Sequence, residues 1–339
     1  MKIAVVGGGV VGLSTTVELI RLGHDVTCLE AGEPMGERSA GDTRIFRLAH
    51  AYPDMVELAG RARRLFPEGC VDGAGTVVSG DGVESWASAM AAAGATHEIV
   101  AAGSRSLRLP ATDIAGPILV DPAGGVIRVD RLRTHLIGIA HRHLRRARVD
   151  LLERAGDRVR IWSPDGPEEF DTALICAGAE TSGLAAGVGI MTPPALEHHV
   201  RFSFPIRPEA PRPLRCWITL GGFGTYQHSS AAGTWAVGAD VDPVLVSWAG
   251  GREAAEQASR DAVTAYVARE LPFVEPRVVG QLYCTHNPDL SDGLQFVRSG
   301  PILTIYGENF MKFAPLLGAM LAEALIDGST PPDAGPGAR

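Results

Sequence analysis

The stretch KIAVVGGGVVGLSTTVELIRLGHDVTCLE, residues 2–30, decides the class of the fold. A short apolar run leads into a glycine cluster, an amphipathic stretch follows, and a second apolar run ends in an acid. This order predicts a strand, a tight turn, a helix and a second strand. In such a unit the pyrophosphate of a dinucleotide binds at the N-terminus of the helix.

The glycines and one acid of this stretch have the spacing of a dinucleotide site. Glycine permits the turn and lets a phosphate approach the backbone N–H groups. Glu30 follows Gly12 by eighteen residues, where a carboxylate accepts hydrogen bonds from a ribose hydroxyl and repels a 2′-phosphate. The motif favours NAD or FAD over NADP and leaves the choice between those two open. The residues expected to contact the dinucleotide are Gly7, Gly9, Val10, Val11, Gly12, Glu30 and Ala31.

Composition excludes several classes of protein. The 339 residues are 45% hydrophobic, which is enough to bury one large core or two modest ones. A net charge of −8 argues against a nucleic-acid or membrane-surface partner. The five cysteines are far apart and lack metal-ligand spacing, so we expect neither a disulfide framework nor a metal site. No signal-peptide core or membrane-length apolar run is present, which predicts a cytoplasmic protein.

Beyond the first unit, the pattern alternates between two kinds of layer. Residues 172–176 predict a buried strand and 302–306 another, each followed by a turn. Residues 198–243 contain alternating segments separated by Gly and Pro, which predict an antiparallel sheet. Residues 129–148 have helical spacing, with the basic run at their end interpreted as a solvated helix face. We expect residues 331–339 to form a disordered tail.

Residues 41–47, Gly-Asp-Thr-Arg-Ile-Phe-Arg, resemble a stretch of a known flavoprotein group. The group is that of monomeric sarcosine oxidase and N-methyl amino acid oxidases, within the D-amino acid oxidase superfamily of FAD enzymes. Three further pieces follow in the expected order and extend the resemblance over nearly the whole chain. They are Gly124-Gly125-Val126-Ile127, Ala177-Gly178-Ala179 and the segment from Lys312 to Gly318.

The resemblance implies a two-domain α/β fold. A discontinuous Rossmann-type FAD-binding domain is expected from residues 1–80, 125–195 and 275–330. A substrate-binding domain, built on a mixed, largely antiparallel sheet, is expected from residues 81–124 and 196–274. This division agrees with the alternation of layers predicted from the residues themselves.

The resemblance also assigns roles to cationic residues. Arg44 is expected beside the flavin ring, and Arg47 and Lys312 are expected to bind the carboxylate of an amino-acid substrate. A guanidinium and an ammonium suit this task because they fix a carboxylate by charge-assisted hydrogen bonds. Lys312 is one of only two lysines in the chain, which supports a function for it. Other cofactor-binding residues implied by the resemblance are Thr43, Ala177, Gly178, Asn309 and Met311.

Two residues of the segment Gln-Leu-Tyr-Cys-Thr-His, 281–286, are candidates for the site. Cys284 stands where the group carries the cysteine that is joined through a thioether to the flavin 8α carbon. The alternative is a small structural cysteine at a strand end. His286 replaces an aromatic residue of the substrate cavity. It is a candidate catalytic residue, and the alternative is an ordinary hydrogen-bonded histidine.

The sequence departs from the group at two further places. The lysine that promotes reaction with oxygen is replaced, in our ungapped alignment, by Ala236. The group's Gly-His-Gly-Phe before its lysine becomes Glu308-Asn309-Phe310-Met311, so contacts between the flavin and the backbone must differ there.

The leading functional hypothesis is an FAD-dependent oxidase of a small amine, amino acid or cyclic imino acid. Hydride passes to flavin N5, an imine forms, and oxygen is reduced to hydrogen peroxide. We expect a specialised, biosynthetic substrate and poor turnover of sarcosine, in a monomer or small homo-oligomer. The alternatives are a dehydrogenase with another electron acceptor and a non-catalytic FAD-binding subunit. An NAD-dependent dehydrogenase leaves residues 41–47 and Cys284 unexplained.

Overall fold

A computed structural model describes residues 1–102, 107–112, 114–192, 196–287 and 293–336. In chain order the strands and helices are β1 (Lys2–Val6), α1 (Val10–Arg21), β2 (Asp25–Glu30), β3 (Thr43–Phe46), α2 (Pro53–Leu65), β4 (Thr76–Gly80), α3 (Val83–Ala92), β5 (Glu98–Val100), β6 (Ile118–Asp121), β7 (Gly125–Arg128), α4 (Val129–Ala140), β8 (Leu144–Arg146), β9 (Leu151–Ala155), β10 (Arg158–Ser163), β11 (Gly166–Phe170), β12 (Thr172–Ile175), α5 (Thr181–Ala186), β13 (Glu197–Pro205), β14 (Cys216–Leu220), β15 (Thr225–Ser229), β16 (Thr234–Ala239), α6 (Pro243–Val246), α7 (Arg252–Glu270), β17 (Gly280–His286), β18 (Leu294–Ser299), β19 (Ile302–Gly307) and α8 (Phe310–Asp327).

The chain forms two compact units, each assembled from separate segments. The first unit comprises Met1–Ala40, Arg131–Ala195 and Asn287–Arg339, and the second comprises Gly41–Asp130 and Leu196–His286. The predicted α/β architecture, with one Rossmann-type sheet and one largely antiparallel sheet, is confirmed.

The boundaries of the units differ from the expected domain boundaries. Residues 41–80, 125–130 and 275–286 were expected in the FAD-binding domain, but they pack in the second unit. The reason is strand pairing, because β4 and β17 both join the eight-stranded sheet of that unit and β3 pairs with β7.

The first unit is built on a six-stranded sheet with the order β18-β19-β12-β1-β2-β8. β1 lies between β2 and β12 and is parallel to both, as expected for a strand that is apolar and buried from Ile3 to Val6. Ile3, Ala4 and Val5 are fully buried. The glycine turn after β1 therefore lies at the carboxyl edge of a parallel sheet, where ligands bind in folds of this type.

Helices α1 and α8 of the first unit pack closely together. A Cβ atom on Gly318 of α8 would come within 2.7 Å of the backbone of Ser14 in α1. Only glycine fits at this crossing, because a real Cβ atom does not approach so closely. No helix within the described ranges is long and apolar enough to cross a membrane.

The basic run near residue 145 forms a strand, which corrects the prediction of one helix over residues 129–148. Helix α4 ends at Ala140, and β8 then pairs in parallel with β2 at the edge of the sheet. Arg145 and Arg146 pair with Glu168 and Glu33, respectively. The sequence has helical periodicity here, but the segment pairs instead with the open edge of β2. This contact is long-range, so a local pattern does not predict it.

The chain end is partly ordered, which corrects the prediction of a disordered tail. Ala334 exchanges two backbone hydrogen bonds of 2.9 Å with Leu294 of β18. The Asp333 carboxylate accepts a hydrogen bond of 2.8 Å from the backbone N–H of Phe296. These bonds extend the edge of the sheet by a short antiparallel segment. Residues 337–339 lie outside the described part of the chain.

The second unit is built on an eight-stranded sheet with the order β17-β13-β16-β15-β14-β4-β6-β5. The predicted antiparallel sheet over residues 198–243 is present, and β14 also pairs in parallel with β4. Successive side chains of a strand point to opposite faces. One face is an apolar core that contains Phe202, Trp235 and Val237 with Val263 of α7.

The opposite face of this sheet is polar near β13, β15 and β16. Directly paired residues place their side chains on the same face. The register pairs Arg201 and Tyr226 with Gly238, and it pairs His228 with Ala236. We call the surface that carries His199, Arg201, Tyr226, His228 and Ala236 the polar face.

Candidate functional site

The glycine turn between β1 and α1 has the geometry that its spacing predicts. Gly7 has a φ of +111°, and a Cβ on it would come within 2.5 Å of the carbonyl oxygen of Cys176. A Cβ on Gly12 would overlap the carbonyl oxygen of Gly7. Gly9 precedes α1 and has no side chain to cap it, so the positive end of the helix is available to an anion. Val10 and Val11 are buried in the first turn.

Glu30 lies beside this turn, as predicted. Its carboxylate accepts hydrogen bonds from the backbone N–H groups of Gly8 at 2.6 Å and Gly32 at 2.7 Å. These bonds hold the carboxylate at the end of β2 next to the glycines. Ala31, which was also predicted to contact the dinucleotide, is exposed. A further contact that the sequence did not reveal is the Ser39 hydroxyl, which accepts from the backbone N–H of Val10 at 3.0 Å.

The end of β12 lies against the same turn. A Cβ on Gly7 would come within 2.9 Å of the Cα of Ala177, and Gly178 begins a short 3₁₀ turn with a φ of +61°. Cys176 donates a weak hydrogen bond to the carbonyl oxygen of Gly7 at 3.6 Å. Burial raises the pKa of the Cys176 thiol well above its ordinary value, so it stays protonated. The structure therefore brings the predicted residues 177 and 178 to the dinucleotide turn.

Lys312 lies in the first turn of α8 and is 4% exposed. Its Nζ lies 5.3 Å from the centre of the Phe313 ring, and Met311 beside it is also buried. Asn309 precedes the helix with a φ of +59°, a left-handed conformation that asparagine tolerates better than most residues. All three predicted residues thus belong to one helix start in the first unit.

Glu308 marks the departure from the family pattern at this helix start. It is 7% exposed and accepts two hydrogen bonds from Arg38, at 2.9 and 3.1 Å. It also accepts from the backbone N–H of Asn287 at 2.8 Å. A buried carboxylate with a paired guanidinium and a backbone donor is well compensated. The ion pair ties the first and last segments of the first unit together.

The loop and strand that carry the predicted arginines belong to the second unit. Arg44 lies in β3 and donates to the carbonyl oxygen of Thr43 at 2.9 Å. Thr43 is 1% exposed, and its hydroxyl has no hydrogen-bond partner in the structure. A buried hydroxyl without a partner is costly, which points to a ligand group at that position.

Arg47 is 8% exposed, and its contacts include a hydrogen bond and a stacked ring. Its guanidinium donates to the carbonyl oxygen of Ala49 and lies 4.7 Å above the ring of Trp86. A stacked guanidinium keeps a fixed orientation, which suits it to bind a planar anion.

Asp121 positions the Arg47 segment, a role that the sequence did not reveal. It is fully buried and accepts from the backbone N–H groups of Leu48 at 2.5 Å and Ala49 at 3.2 Å. Burial raises the pKa of this carboxyl, and the backbone donors oppose that rise. The available sequence signal was the Asp-Pro-Ala-Gly turn at residues 121–124.

Cys284 lies in β17 directly opposite His199 of β13, so its side chain is on the polar face. It is half-buried, and its Sγ donates to the carbonyl oxygen of Thr285 at 3.4 Å. Cys28, Cys70 and Cys216, by contrast, are buried. The backbone of His286 ends β17 opposite Glu197, and the His286 side chain lies outside the described part of the structure.

A buried hydrogen-bond network on the polar face was not predicted from the sequence. Arg201 donates to Nε2 of His228 at 2.7 Å and to the carbonyl oxygen of Thr43 at 3.0 Å. His228 Nδ1 donates to the carbonyl oxygen of Ser229 at 3.0 Å, so the imidazole is neutral. His199 and Tyr226 are stacked and hydrogen bonded at 2.7 Å. No local motif marks these residues, because β13, β15 and β16 bring them together.

The electrostatics of this face confirm that its groups are neighbours. Burial lowers the pKa of Arg201 to about 9, and the guanidinium of Arg44 adds to this shift. Tyr226, Cys284 and Asp42 act in the opposite direction. Arg201 therefore remains a cation at neutral pH, and it lies near Cys284 on the polar face.

His228 should make the protein less stable in acid. Burial and the charge of Arg201 hold the pKa of His228 well below the usual 6.5. In mild acid, His228 therefore binds a proton in the unfolded chain but not in the native protein, which favours unfolding. Lowering the pH from about 7.5 to about 5.5 should cost about 1 to 1.5 kcal/mol of unfolding free energy through this residue. Urea denaturation at both pH values measures the change.

The control for this prediction is the exposed His135 of α4. His228→Gln should remove that part of the pH dependence, whereas His135→Gln should retain it. Equal pH dependence in the wild type and His228→Gln would show that His228 is protonated without penalty in the native state.

Comparison with protein-family models identifies the class of the protein. Residues 2–324 match the model described as DAO, FAD dependent oxidoreductase. The chain belongs to this family of FAD-dependent oxidoreductases, as the resemblance predicted. Comparison with curated proteins gives no match.

Solved structures with the same fold cover nearly the whole chain. NikD, an unusual amino acid oxidase essential for nikkomycin biosynthesis, is 21% identical with a TM-score of 0.82, over 97% of this chain and 94% of its own. L-proline dehydrogenase from P. horikoshii is 16% identical with a TM-score of 0.77, over 97% and 94%. Glycine oxidase from Geobacillus kaustophilus is 19% identical with a TM-score of 0.72, over 97% and 95%. At these identities the likeness shows a common fold.

The residues present fit FAD. The glycine turn leaves space that a Cβ atom would fill, the residue before α1 is a glycine without a capping side chain, and Glu30 is held beside the turn. The buried Thr43 hydroxyl, which has no partner, is a further group that a ligand could satisfy.

Proposed function

We propose that this protein oxidises the C–N bond of a small amine, amino acid or cyclic imino acid to an imine, with oxygen as electron acceptor. The substrate loses two electrons and two protons, and oxygen gains them to become hydrogen peroxide. FAD, when bound, supplies the two-electron redox chemistry. The observation that carries the proposal is the buried and oriented guanidinium of Arg47, within a segment that matches the amine-oxidising group.

The first unit binds the FAD, and the second unit supplies most of the groups that act on the substrate. Gly7, Gly9 and Gly12 hold the pyrophosphate, and Glu30 holds a ribose. Arg47 and Lys312 bind the substrate carboxylate, and this fixes the carbon that loses hydrogen. The activities named for NikD, proline dehydrogenase and glycine oxidase, all on amino acids, support this substrate class.

Cys284 attaches the flavin covalently in this proposal. It is one of two half-buried cysteines in the chain, and it lies on the polar face near Arg201. The other half-buried cysteine, Cys176, is kept protonated by burial.

The experiment that tests the function is anaerobic addition of amines and amino acids to the purified yellow protein. Loss of flavin absorbance with at least one N-alkyl, cyclic or primary amino acid supports the proposal. Sarcosine should be a poor substrate, because His286 stands where the sarcosine-oxidising group has an aromatic residue of the substrate cavity. Absorbance that no member of such a panel changes would favour a non-catalytic FAD-binding subunit.

The second candidate function is a dehydrogenase with a non-oxygen acceptor. It is favoured by Ala236, which is fully buried on the polar face at the place expected for an oxygen-activating lysine. We favour oxygen because Arg201 supplies a cation on the same face. Its guanidinium is bonded to His228, the residue directly opposite Ala236. A fixed cation stabilises the negative charge that develops as oxygen is reduced.

Replacing Arg201 by methionine should slow oxygen use more than substrate oxidation. We expect about a ten- to hundred-fold lower rate with oxygen, because one preorganised charged donor is removed. Turnover with an artificial acceptor should change much less, and Arg201→Lys should restore part of the oxygen rate. The ratio of oxygen uptake to acceptor reduction is the measurement. An unchanged ratio in Arg201→Met would favour the dehydrogenase.

A further inference from the structure

The Arg38–Glu308 ion pair joins the segment that follows β2 to the start of α8. Glu308 is 7% exposed, and the side chain of Arg38 is 30% exposed. Nη2 of Arg38 lies 2.9 Å from one oxygen of the Glu308 carboxylate and 3.1 Å from the other. Hydrogen bonds between charged groups are stronger than neutral ones, above all where water is largely excluded. The pair therefore fixes Arg38 relative to α8.

Glu308 has a defined position of its own. Its Oε1 accepts a hydrogen bond of 2.8 Å from the backbone N–H of Asn287, which is 6% exposed. Its backbone N–H donates to the carbonyl oxygen of Gly293 at 3.3 Å. All three residues belong to the last segment of the first unit. The carboxylate is thus held by its own segment and is a fixed anchor for Arg38.

Ser39, the neighbour of Arg38, contacts the dinucleotide turn. Its Oγ accepts a hydrogen bond of 3.0 Å from the backbone N–H of Val10, the first residue of α1. A Cβ atom on Gly9 would lie 3.3 Å from the same oxygen. This is the end of the helix at which the pyrophosphate of a dinucleotide binds. The position of Ser39 therefore shapes one wall of the pyrophosphate site.

Arg38 and Ser39 are the two central residues of one tight turn. The backbone N–H of Ala40 donates to the carbonyl oxygen of Glu37 at 2.7 Å, which closes the turn. The turn thus directs one side chain to the start of α8 and the next to the start of α1. Since only one peptide unit separates the two residues, fixing Arg38 restricts where Ser39 lies.

The ion pair belongs to this chain's own pattern. Glu308 stands where the sarcosine-oxidising group has a glycine, which has no side chain to bind an arginine. A binding segment that is ordered before its ligand arrives loses less conformational entropy on binding. The alternative is an ion pair that stabilises the folded unit and leaves the affinity for FAD unchanged.

We propose that Arg38 and Glu308 are positioning residues for FAD. Their ion pair holds Ser39 at the start of α1, so that the pyrophosphate meets a preformed site. The inference requires FAD binding by the family to which the chain belongs, and it does not rest on the proposed oxidation.

The test is the dissociation constant of FAD, measured by diluting purified holoprotein and recording the fluorescence of released FAD. All proteins carry Cys284→Ser, so that no thioether prevents release. Glu308→Gln and Arg38→Gln should each raise the Kd about ten-fold, because FAD must then order the segment as it binds. The double variant should also raise it about ten-fold, because both substitutions break the same interaction. Arg38→Lys keeps the charge and should recover part of the affinity.

Glu323→Gln is the matched control, because it removes a carboxylate from the exposed face of α8 and should leave the Kd unchanged. Thermal unfolding of each FAD-saturated protein checks that it is folded, and Arg38→Gln should fold because Arg38 is partly exposed. An unchanged or lower Kd in folded Arg38→Gln, or a rise of about a hundred-fold in the double variant, would overturn the proposal. FAD release is measured without turnover, so failure here is distinguishable from failure of the proposed oxidation.

Discussion

Flavin should stay with the wild-type protein when it is precipitated with acid, and the Cys284→Ser protein should release its flavin to the supernatant. The reason is that a covalent thioether survives denaturation, whereas hydrogen bonds between the flavin and the folded protein are lost. Absorption spectra of the redissolved pellet and of the supernatant measure the distribution. The expected effect is all or none.

The matched control is Cys176→Ser, which changes the other half-buried cysteine of the chain. Its thiol is kept protonated by burial, so this variant should retain its flavin in the pellet as the wild type does. Release of flavin from the wild type itself would leave FAD as a tightly bound cofactor and make Cys284 a structural residue of β17. If only the Cys176→Ser protein released its flavin, the covalent bond would have to be assigned to Cys176, beside the dinucleotide turn.

Arg47→Met should lower kcat/KM for an amino-acid substrate by about 100- to 1,000-fold. Truncating one partner of a buried, hydrogen-bonded charge pair costs about 3 to 4 kcal/mol, because the substrate carboxylate loses its guanidinium partner. Steady-state kinetics measures the loss, and Arg47→Lys should recover only part of it because a lysine lacks the planar fork. A substrate amine without a carboxylate should be affected far less.

Arg64→Met is the control for this prediction. It removes the same charge from the exposed surface of α2 in the same unit, and it should leave kcat/KM unchanged. The thermal stability of Arg47→Met needs separate measurement, because the substitution also removes the contact with Trp86. A well-folded Arg47→Met protein with wild-type kcat/KM would show that the carboxylate binds elsewhere.

Local patterns predicted the elements better than they predicted the boundaries of the units. The spacing of residues 2–30 gave the first strand, turn, helix and second strand, because the contacts among them are close in sequence. The basic run at residues 142–148 was misinterpreted as a helix face, since pairing of β8 with β2 is a contact across more than a hundred residues. The compact units divide the chain at other residues than the expected domains, because β4 and β17 pair with strands that are distant in sequence.

The amino-acid sequence by itself determined the dinucleotide turn, the acid at the end of β2, and the family to which the chain belongs. These features depend on residue types at fixed short spacings, such as glycines where a Cβ would collide with backbone. Only the tertiary structure decided that Arg201, His228 and Cys284 share one face. The register of β13, β15, β16 and β17 sets that grouping, and register depends on burial of the apolar face opposite it.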